Sequence, residues 1–181
     1  MPVEHSAIAD PDIHEPKGIA AAVQGKVYVS DGASSGSWRY LPHSALYYDD
    51  IGTGTTLTTP TAYTLVAPTT VADTAPHEFT HNSLGRLLYT GIETIDVNLR
   101  ASITIKHSSA TLVDAFFQFF NKGVAITGAQ HATAALSGNY THLSLASHES
   151  LATNDYIEVY AKTASGNIVV HALSMIVEGK L

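Results

Sequence analysis

The motif whose residue types suggest the most chemistry is His77-Glu78-Phe79-Thr80-His81, which has the pattern H-E-x-x-H. In zinc hydrolases a helix places the two histidines of this pattern on one face, and the glutamate activates a zinc-bound water. Here Pro76 precedes the motif, its centre favours a strand, and Gly85 follows closely. On a strand the two histidines would lie about 13 Å apart at ~3.3 Å per residue, too far to share a zinc ion. We therefore predict no metal site and no cofactor, and a zinc hydrolase is kept only as a minor alternative.

Nucleophilic catalysis has no better support in the sequence. There is no cysteine, and the run Gly32-Ala33-Ser34-Ser35-Gly36 resembles a G-x-S-x-G elbow only loosely, within a predicted turn. We predict no catalytic residues and no enzymatic activity. One pair of acidic residues, Asp49 and Asp50, stands beside Tyr47 and Tyr48. These side chains could bind sugar hydroxyls, so binding to a host-surface glycan stays open as an alternative function.

Composition excludes several classes of partner. The chain has 181 residues and a formal net charge of −7, with nine Lys and Arg residues that are scattered rather than clustered. Nucleic-acid binding normally needs a basic stripe, so no nucleic acid is expected as a partner. No apolar run approaches the roughly 20 residues that cross a bilayer, so we expect no membrane association. The first residues, 1–5, lack the basic and apolar blocks of a signal peptide, and we expect synthesis in a cytoplasm.

From about residue 45 onward, short strand-like segments recur every eight to twelve residues with turn residues between them. Residues 95–106 alternate strictly between apolar and polar, which is typical of a strand with one solvated face. No long segment has a helical period. The sequence therefore predicts an all-β fold, an antiparallel β-sandwich of the jelly-roll type. The predicted strands are 62–67, 79–81, 86–89, 93–106, 112–121, 124–129, 141–146, 155–162 and 168–177.

Three of the late segments, 112–120, 155–161 and 168–177, carry large apolar side chains in both registers of the strand. A strand sends alternate side chains to opposite sides, so one register fills the core and the other also needs a cover. The simplest cover is another copy of the protein, and the pattern predicts an obligate oligomer. His171 lies between apolar neighbours, which favours a core or interface histidine. The predicted interface residues are Phe117, Phe119, Tyr156, Tyr160 and His171.

The first 43 residues differ from the rest of the chain. Pro11, Pro16 and Gly18 stand among few apolar groups, so this stretch is predicted to be extended. Residues 26–30 and 38–41 then read as two short strands around a turn. Such a segment is too poor in apolar residues to form a core alone. We predict two regions, an N-terminal arm with a short β-hairpin at 1–43 and a jelly-roll domain at 44–181.

The body of the chain resembles the trimeric jelly-roll domain shared by tumour necrosis factor and complement C1q. The resemblance rests on Leu87-Leu88-Tyr89-Thr90-Gly91, on the alternating strand at 93–106, on Phe117-Gln118-Phe119-Phe120-Asn121-Lys122-Gly123, on Asn154-Asp155-Tyr156-Ile157-Glu158-Val159-Tyr160 and on the last apolar strand at 168–177. In that family the inner sheets of three subunits pack about a threefold axis. The resemblance implies a homotrimer, which would cover the surplus apolar side chains.

The N-terminal stretch resembles a narrower group, the capsid decoration (cement) and head-fibre proteins of tailed bacteriophages. The similar segments are 9–18, 25–32 and 36–38. This resemblance implies a trimeric virion protein on the outer capsid surface, made in the host cytoplasm, that binds the major capsid protein and stabilises the shell. The alternative is a tail-fibre or adhesin tip that binds a host-surface glycan. The residues predicted to contact the capsid are Ile8, Pro11, Ile13, His14, Pro16, Tyr28 and Trp38.

Overall fold

The structure is a computed structural model that describes residues 24–30, 36–50, 52–58, 61–72, 76–82, 85–135 and 137–180. Every regular element in these ranges is a β-strand, so these ranges contain no helix that could cross a membrane. The chain divides into two compact units, Met1–Leu41 and Pro42–Leu181.

The described part of the first unit is a two-stranded antiparallel hairpin. Strand β1 spans Lys26–Ser30 and strand β2 spans Gly36–Tyr40. In its register Tyr28 stands opposite Trp38, and Lys26 stands opposite Tyr40. Directly opposed side chains project from the same side of a sheet, so three aromatic residues share one face of the hairpin. The predicted hairpin is therefore present.

The second unit is a sandwich of two six-stranded sheets. Sheet 1 has the strand order β12-β9-β14-β3-β6, with β4 beside β14, and sheet 2 has the order β11-β10-β13-β8-β7, with β5 beside β13. All their pairings are antiparallel. The strands are β3 (His43–Asp49), β4 (Thr55–Leu57), β5 (Thr64–Leu65), β6 (Val71–Ala72), β7 (Phe79–Asn82), β8 (Arg86–Tyr89), β9 (Ile95–His107), β10 (Val113–Asn121), β11 (Val124–Ala135), β12 (Thr141–Leu151), β13 (Tyr156–Thr163) and β14 (Ile168–Gly179).

Alternation along the strands places the core between the two sheets. On β9 the apolar positions from Val97 to Ile105 face inward and are buried, while the positions between them are exposed or half-buried. The chain crosses repeatedly between the sheets, as at β8–β9, β9–β10, β11–β12, β12–β13 and β13–β14, which is the connectivity of a jelly roll. The predicted fold class, an all-β antiparallel jelly roll, is confirmed.

The strand prediction needed correction. Strands β3, β4 and β6 were not predicted, and β11 and β12 are longer than predicted. Strands β3 and β4 pair with β14, so the long apolar strand that ends the fold organises its neighbours. The predicted turn after β10 is present, and Lys122 and Gly123 both have positive φ, as a type I′ hairpin turn requires.

The two ends of the sandwich are closed by different loops. At one end, which we call the Pro42 end, the Gly179 N–H donates to the Pro42 carbonyl at 2.7 Å. At the opposite end, the Ser108 end, the Ser108 N–H donates to the Asn167 carbonyl at 3.0 Å and the Ser137 N–H to the Ser109 carbonyl at 2.8 Å. These bonds tie the β9–β10, β11–β12 and β13–β14 loops into one cluster.

Candidate functional site

The H-E-x-x-H motif lies at the start of β7, as the sequence predicted, and not on a helix. Glu78 has a φ of 57°, and strand structure begins at Phe79. The His77 ring packs against His43 with ring centroids 4.9 Å apart, whereas His81 Nε2 hydrogen-bonds the Thr70 hydroxyl at 2.7 Å. Burial lowers the pKa of His81. The zinc hydrolase alternative thus loses the helix that its mechanism requires. No three potential ligands gather into a metal-binding group among the residues that the structure describes.

The burial of side chains along β10 shows which of its two registers faces the core. Phe117 and Phe119 are fully buried in the interior of a single chain. Phe116 and Phe120 lie in the other register, on the outer surface of sheet 2. We therefore correct the interface prediction for Phe117 and Phe119, because their rings already fill the space between the two sheets of their own chain.

The outer surface of sheet 2 carries a continuous row of aromatic rings, which we call the aromatic face. The Phe120 ring stacks on Tyr160 with centroids 4.1 Å apart, and Tyr63 meets Phe120 edge-on at 5.4 Å. Lys162 Nζ lies 4.4 Å from the Tyr63 ring centroid and 5.4 Å from that of Phe116. Burial raises the pKa values of Tyr63 and Tyr160. The chain itself therefore covers much of the apolar register that suggested an oligomer.

At the other end of this row, Arg86 of β8 is held between a carboxylate and a ring. Its Nε donates to Glu158 Oε1 at 2.5 Å, and its guanidinium carbon lies 4.9 Å from the Tyr156 ring centroid. The hydrogen bond to Glu158 raises the pKa of Arg86. The Glu158 side chain is wholly buried, whereas the Arg86 side chain is 33% exposed. Glu158 Oε2 has no hydrogen-bond partner within the described chain. The pair therefore joins a buried carboxylate to a guanidinium that is partly open to solvent.

Sequence reasoning missed Arg86 and Glu158. The available signal was a carboxylate in the centre of the apolar strand β13, in the register of Tyr156 and Tyr160. A charged residue at such a position is almost never buried without a partner. That rule demands a cation on a neighbouring strand, but only the register of β13 with β8 shows that the cation is Arg86.

The outer surface of sheet 1 has a different character, and we call it the small-residue face. A shallow groove of about 280 Å³ crosses its centre. Exposed apolar side chains stand nearby, with Tyr47 49%, Val71 54% and Ile176 37% exposed. The outward-facing residues that line the groove are Arg100, Ser102, Ser144, Ala146, Ser174 and Ile176.

His171 occupies an irregularity of β14, where the register with β9 shifts between Val170 and Ala172. Its side chain is buried and contacts the Tyr140 ring at a centroid distance of 5.1 Å. Its Nδ1 lies 3.1 Å from the Asp50 carbonyl oxygen, consistent with donation from that nitrogen. Asp50 in turn accepts a hydrogen bond at Oδ1 from the Thr53 N–H at 3.0 Å. Asp50 therefore makes local hydrogen bonds through both its carbonyl and its carboxylate.

A cavity of about 630 Å³ opens at the Pro42 end. Near it, Lys122 Nζ lies 2.7 Å from Asp155 Oδ1, and Asn121 Nδ2 lies 3.3 Å from Glu149 Oε1. Burial opposes ionisation of Asp155, but hydrogen bonds from Lys122, the Ala152 N–H and Asn121 hold its pKa below the ordinary value. This polar network ties the β10–β11 turn to the loop before β13.

Of the predicted capsid contacts, Tyr28 and Trp38 lie in the hairpin, where their rings meet edge-on with centroids 5.4 Å apart. Lys26 Nζ lies 5.2 Å from the Tyr40 ring centroid on the same face. The remaining predicted contacts, Ile8, Pro11, Ile13, His14 and Pro16, lie outside the described residues.

Comparisons with known proteins support the fold. No protein-family model and no curated protein matches the sequence. Among solved structures, the vertex protein P5 of PRD1 superposes with a TM-score of 0.50 at 10% identity, covering 77% of this chain and 96% of that chain. Murine APRIL has a TM-score of 0.49 at 13% identity, covering 75% of this chain and 98% of that one. The tumour-necrosis-factor protein Eiger from S. frugiperda has a TM-score of 0.45 at 15% identity, covering 76% and 92%.

At these identities the vertex protein shows that the fold is shared and nothing more. The class defined by the fold is the antiparallel jelly-roll sandwich that the sequence predicted.

Proposed function

We propose that this chain is a structural virion protein that decorates the outer surface of a phage head as a homotrimer. In this proposal the jelly roll forms an exposed knob, residues 1–43 bind the major capsid protein, and the chain has no enzymatic activity. The observation that carries the proposal is the division into a well-packed jelly roll and a separate small unit whose described part is a single hairpin. The occurrence of the same fold in a phage vertex protein supports it.

The hairpin supports a docking role for the first unit. An isolated two-stranded hairpin is at best marginally stable in water and needs a further surface to pack on. Tyr28, Trp38 and Tyr40 share one face of it, and aromatic residues are the side chains enriched at binding hot spots. Three arms on one trimer would act together, so modest contacts yield a large avidity. Binding only to the assembled shell would stabilise that shell by mass action.

We place the proposed trimer contact on the small-residue face. Small side chains such as Ser102, Ser144 and Ala146 let another sheet approach closely, while Tyr47 and Ile176 supply exposed apolar area. His171 would lie toward one end of this contact. Tyr156 and Tyr160 belong to the opposite outer surface of the sandwich, on sheet 2. The resemblance to trimeric jelly rolls supports a contact between three copies.

The arm proposal is tested with phage heads that lack this protein. Full-length protein and the variant Tyr28→Ala/Trp38→Ala are mixed with such heads, and bound protein is measured by cosedimentation and imaging. We expect the double variant to lose at least tenfold in affinity. The control is Val27→Ala, on the other face of the hairpin, which should bind as well as the unmodified chain. Failure of the full-length protein to bind, or equal binding by the double variant, would overturn the arm proposal.

The trimer proposal is tested separately by sedimentation of the free protein. We expect the mass of three chains, and Ile176→Arg should shift it toward one chain because a charge would be buried at the contact. Thr64→Arg, exposed on sheet 2, serves as the matched control and should remain trimeric. A monomeric unmodified protein would contradict the proposal.

A further inference from the structure

A second cavity, about 230 Å³ in volume, opens on the aromatic face between β7, β8 and β13. Its volume lies below the roughly 300–1,000 Å³ of drug-sized ligand sites, so it suits a single small ring. Its wall combines a hydroxyl, an imidazole, an amide and a guanidinium with apolar and aromatic surface. The lining residues are Thr80, His81, Asn82, Arg86, Leu88 and Tyr156.

Among the side chains of this wall, Arg86 is the one that neighbouring side chains already hold in a fixed position. Glu158 holds its Nε from behind, and the Tyr156 ring lies against the guanidinium. Within the described chain this Nε contact is the one hydrogen bond that the guanidinium makes, so its terminal nitrogens remain as donors. A guanidinium presents its donors in a planar fork that matches a carboxylate with two parallel hydrogen bonds. Because the side chain is already fixed, a ligand would lose little of its binding energy to ordering it.

The opposite charges of Arg86 and Glu158 limit which kinds of ligand the cavity would bind. The buried carboxylate of Glu158 neutralises most of the long-range attraction of Arg86, so a simple anion gains little from charge alone. A ligand in the cavity would also meet the Thr80 hydroxyl, the Tyr156 ring as an apolar surface and the Asn82 amide, whose Oδ1 already accepts a hydrogen bond from the Arg86 N–H at 3.2 Å. A sugar ring that carries a carboxylate offers all three kinds of group, since it has hydroxyls, an acid and apolar C–H edges.

We propose that this cavity binds one carboxylated sugar unit, such as a uronate residue of a surface polysaccharide. The carboxylate pairs with the terminal nitrogens of Arg86, the ring lies toward Tyr156, and hydroxyls reach Thr80 and Asn82. The site lies on sheet 2, apart from the proposed trimer contact on sheet 1, and does not depend on the capsid-binding proposal. A knob with this site would add weak adhesion to glycans.

The test is a titration of the full-length protein with glucuronate, glucose and acetate, followed by NMR shifts of amides in β7, β8 and β13. We expect saturable binding of glucuronate, with glucose and acetate each at least tenfold weaker. Arg86→Gln should weaken glucuronate binding at least tenfold. Lys162→Gln removes one positive charge from the same face, away from the cavity, and should leave binding unchanged.

A second variant keeps the test decisive if Arg86→Gln fails to fold. Thr80→Trp fills the cavity while both members of the ion pair are kept, and we expect it to abolish glucuronate binding while circular dichroism shows a folded protein. Absence of glucuronate binding in the unmodified protein, equal binding of acetate, or unchanged binding by folded Thr80→Trp would overturn the proposal. Binding of these variants to phage heads, measured separately, keeps the outcome distinct from that of the arm proposal.

Discussion

The two outer faces of the sandwich differ in whether their outward apolar side chains are covered by the same chain. On the aromatic face, large apolar side chains such as Phe120 are covered by Tyr63 and Tyr160 of the same chain. In the groove of the small-residue face, the outward positions carry mostly serine and alanine, with Ile176 exposed among them and Tyr47 exposed nearby. An apolar residue in the outward register therefore does not by itself require a second copy. A face of small residues with isolated apolar groups is the better candidate for close contact between copies.

The two faces also differ in how far the side chains of their ion pairs are buried. Arg86 and Glu158 form a pair whose carboxylate is wholly buried, whereas Arg100 and Glu178 on the small-residue face lie 3.9 Å apart with side chains 66% and 49% exposed. A buried carboxylate depends strongly on its partner, while exposed pairs contribute little because water and salt screen them. The ion pair of the aromatic face is thus expected to stabilise the fold more than the ion pair of the small-residue face.

The largest effect is expected where β10 divides the core from the aromatic face. Phe117→Ala removes a fully buried ring and should lower the free energy of unfolding by about 3–5 kcal/mol. Phe116→Ala, one residue away in the outward register, should have less than half that effect because its ring is half-buried. Urea denaturation of the two variants measures the difference. Equal losses would mean that the two registers are equally packed, and the contrast between core and face would be lost.

A smaller effect should separate the two ion pairs. Glu158→Ala should lower the free energy of unfolding by about 2–3 kcal/mol, because it leaves Arg86 without its partner in a partly buried site. Glu178→Ala is the matched change on the small-residue face and should alter stability by no more than about 0.5 kcal/mol. Thermal and urea denaturation at two salt concentrations give both values. A loss for Glu178→Ala as large as that for Glu158→Ala would contradict this view of the faces.

The smallest expected effect is a pH dependence of stability that arises from His107, a histidine buried between the two sheets. His107 of β9 accepts a hydrogen bond at Nδ1 from the Ser109 N–H at 3.0 Å, so its Nε2 carries the proton and faces the Thr163 hydroxyl of sheet 2 at 3.2 Å. Burial lowers the pKa of His107, although a hydrogen bond that the imidazole donates to the Ser165 backbone partly opposes this. Protonation at Nδ1 would break the bond to Ser109. The folded chain therefore takes up this proton less readily than the unfolded chain.

Because the folded pKa is depressed, the contribution of His107 is intact above the unfolded pKa of about 6.5 and is lost as pH falls through the folded pKa. The free energy of unfolding should fall by up to roughly 1.4 kcal/mol per pH unit from this group in that window. Chemical denaturation at a series of pH values measures the slope, and His107→Gln should make it shallower. Parallel slopes for the two proteins would show that His107 is not the group responsible.

The sequence predicted the features that depend on local pattern. Alternation on β9, the turn at Lys122 and Gly123, and the strand character of the motif at 77–81 all follow from period and turn chemistry. The choice between Phe117 and Phe116 as the core residue could not be predicted. A strand with apolar side chains in both registers does not indicate which register faces the core. That choice depends on pairing between distant segments.

The candidate sites show the same limit. Tyr63 reaches Phe120, and Arg86 reaches Glu158 across 72 positions of sequence. No local window contains both members of either pair, so only the assembled sheet could reveal them. Tyr156 was predicted from its strand to be an interface residue, but its place beside Arg86 required the β8–β13 register.

The hydrogen bond between Gly179 and Pro42 has a practical consequence for engineering. It brings the start of β3 and the finish of β14 to one end of the sandwich, while the loops around Ser108, Ser137 and Asn167 are joined at the other. A foreign peptide grafted into the β9–β10 loop would therefore be presented about the length of a long strand away from the arm junction. Strand β9 has 13 residues, which at ~3.3 Å each is a separation of roughly 40 Å. The jelly roll is thus a scaffold that would display an epitope in this loop at the end opposite Pro42.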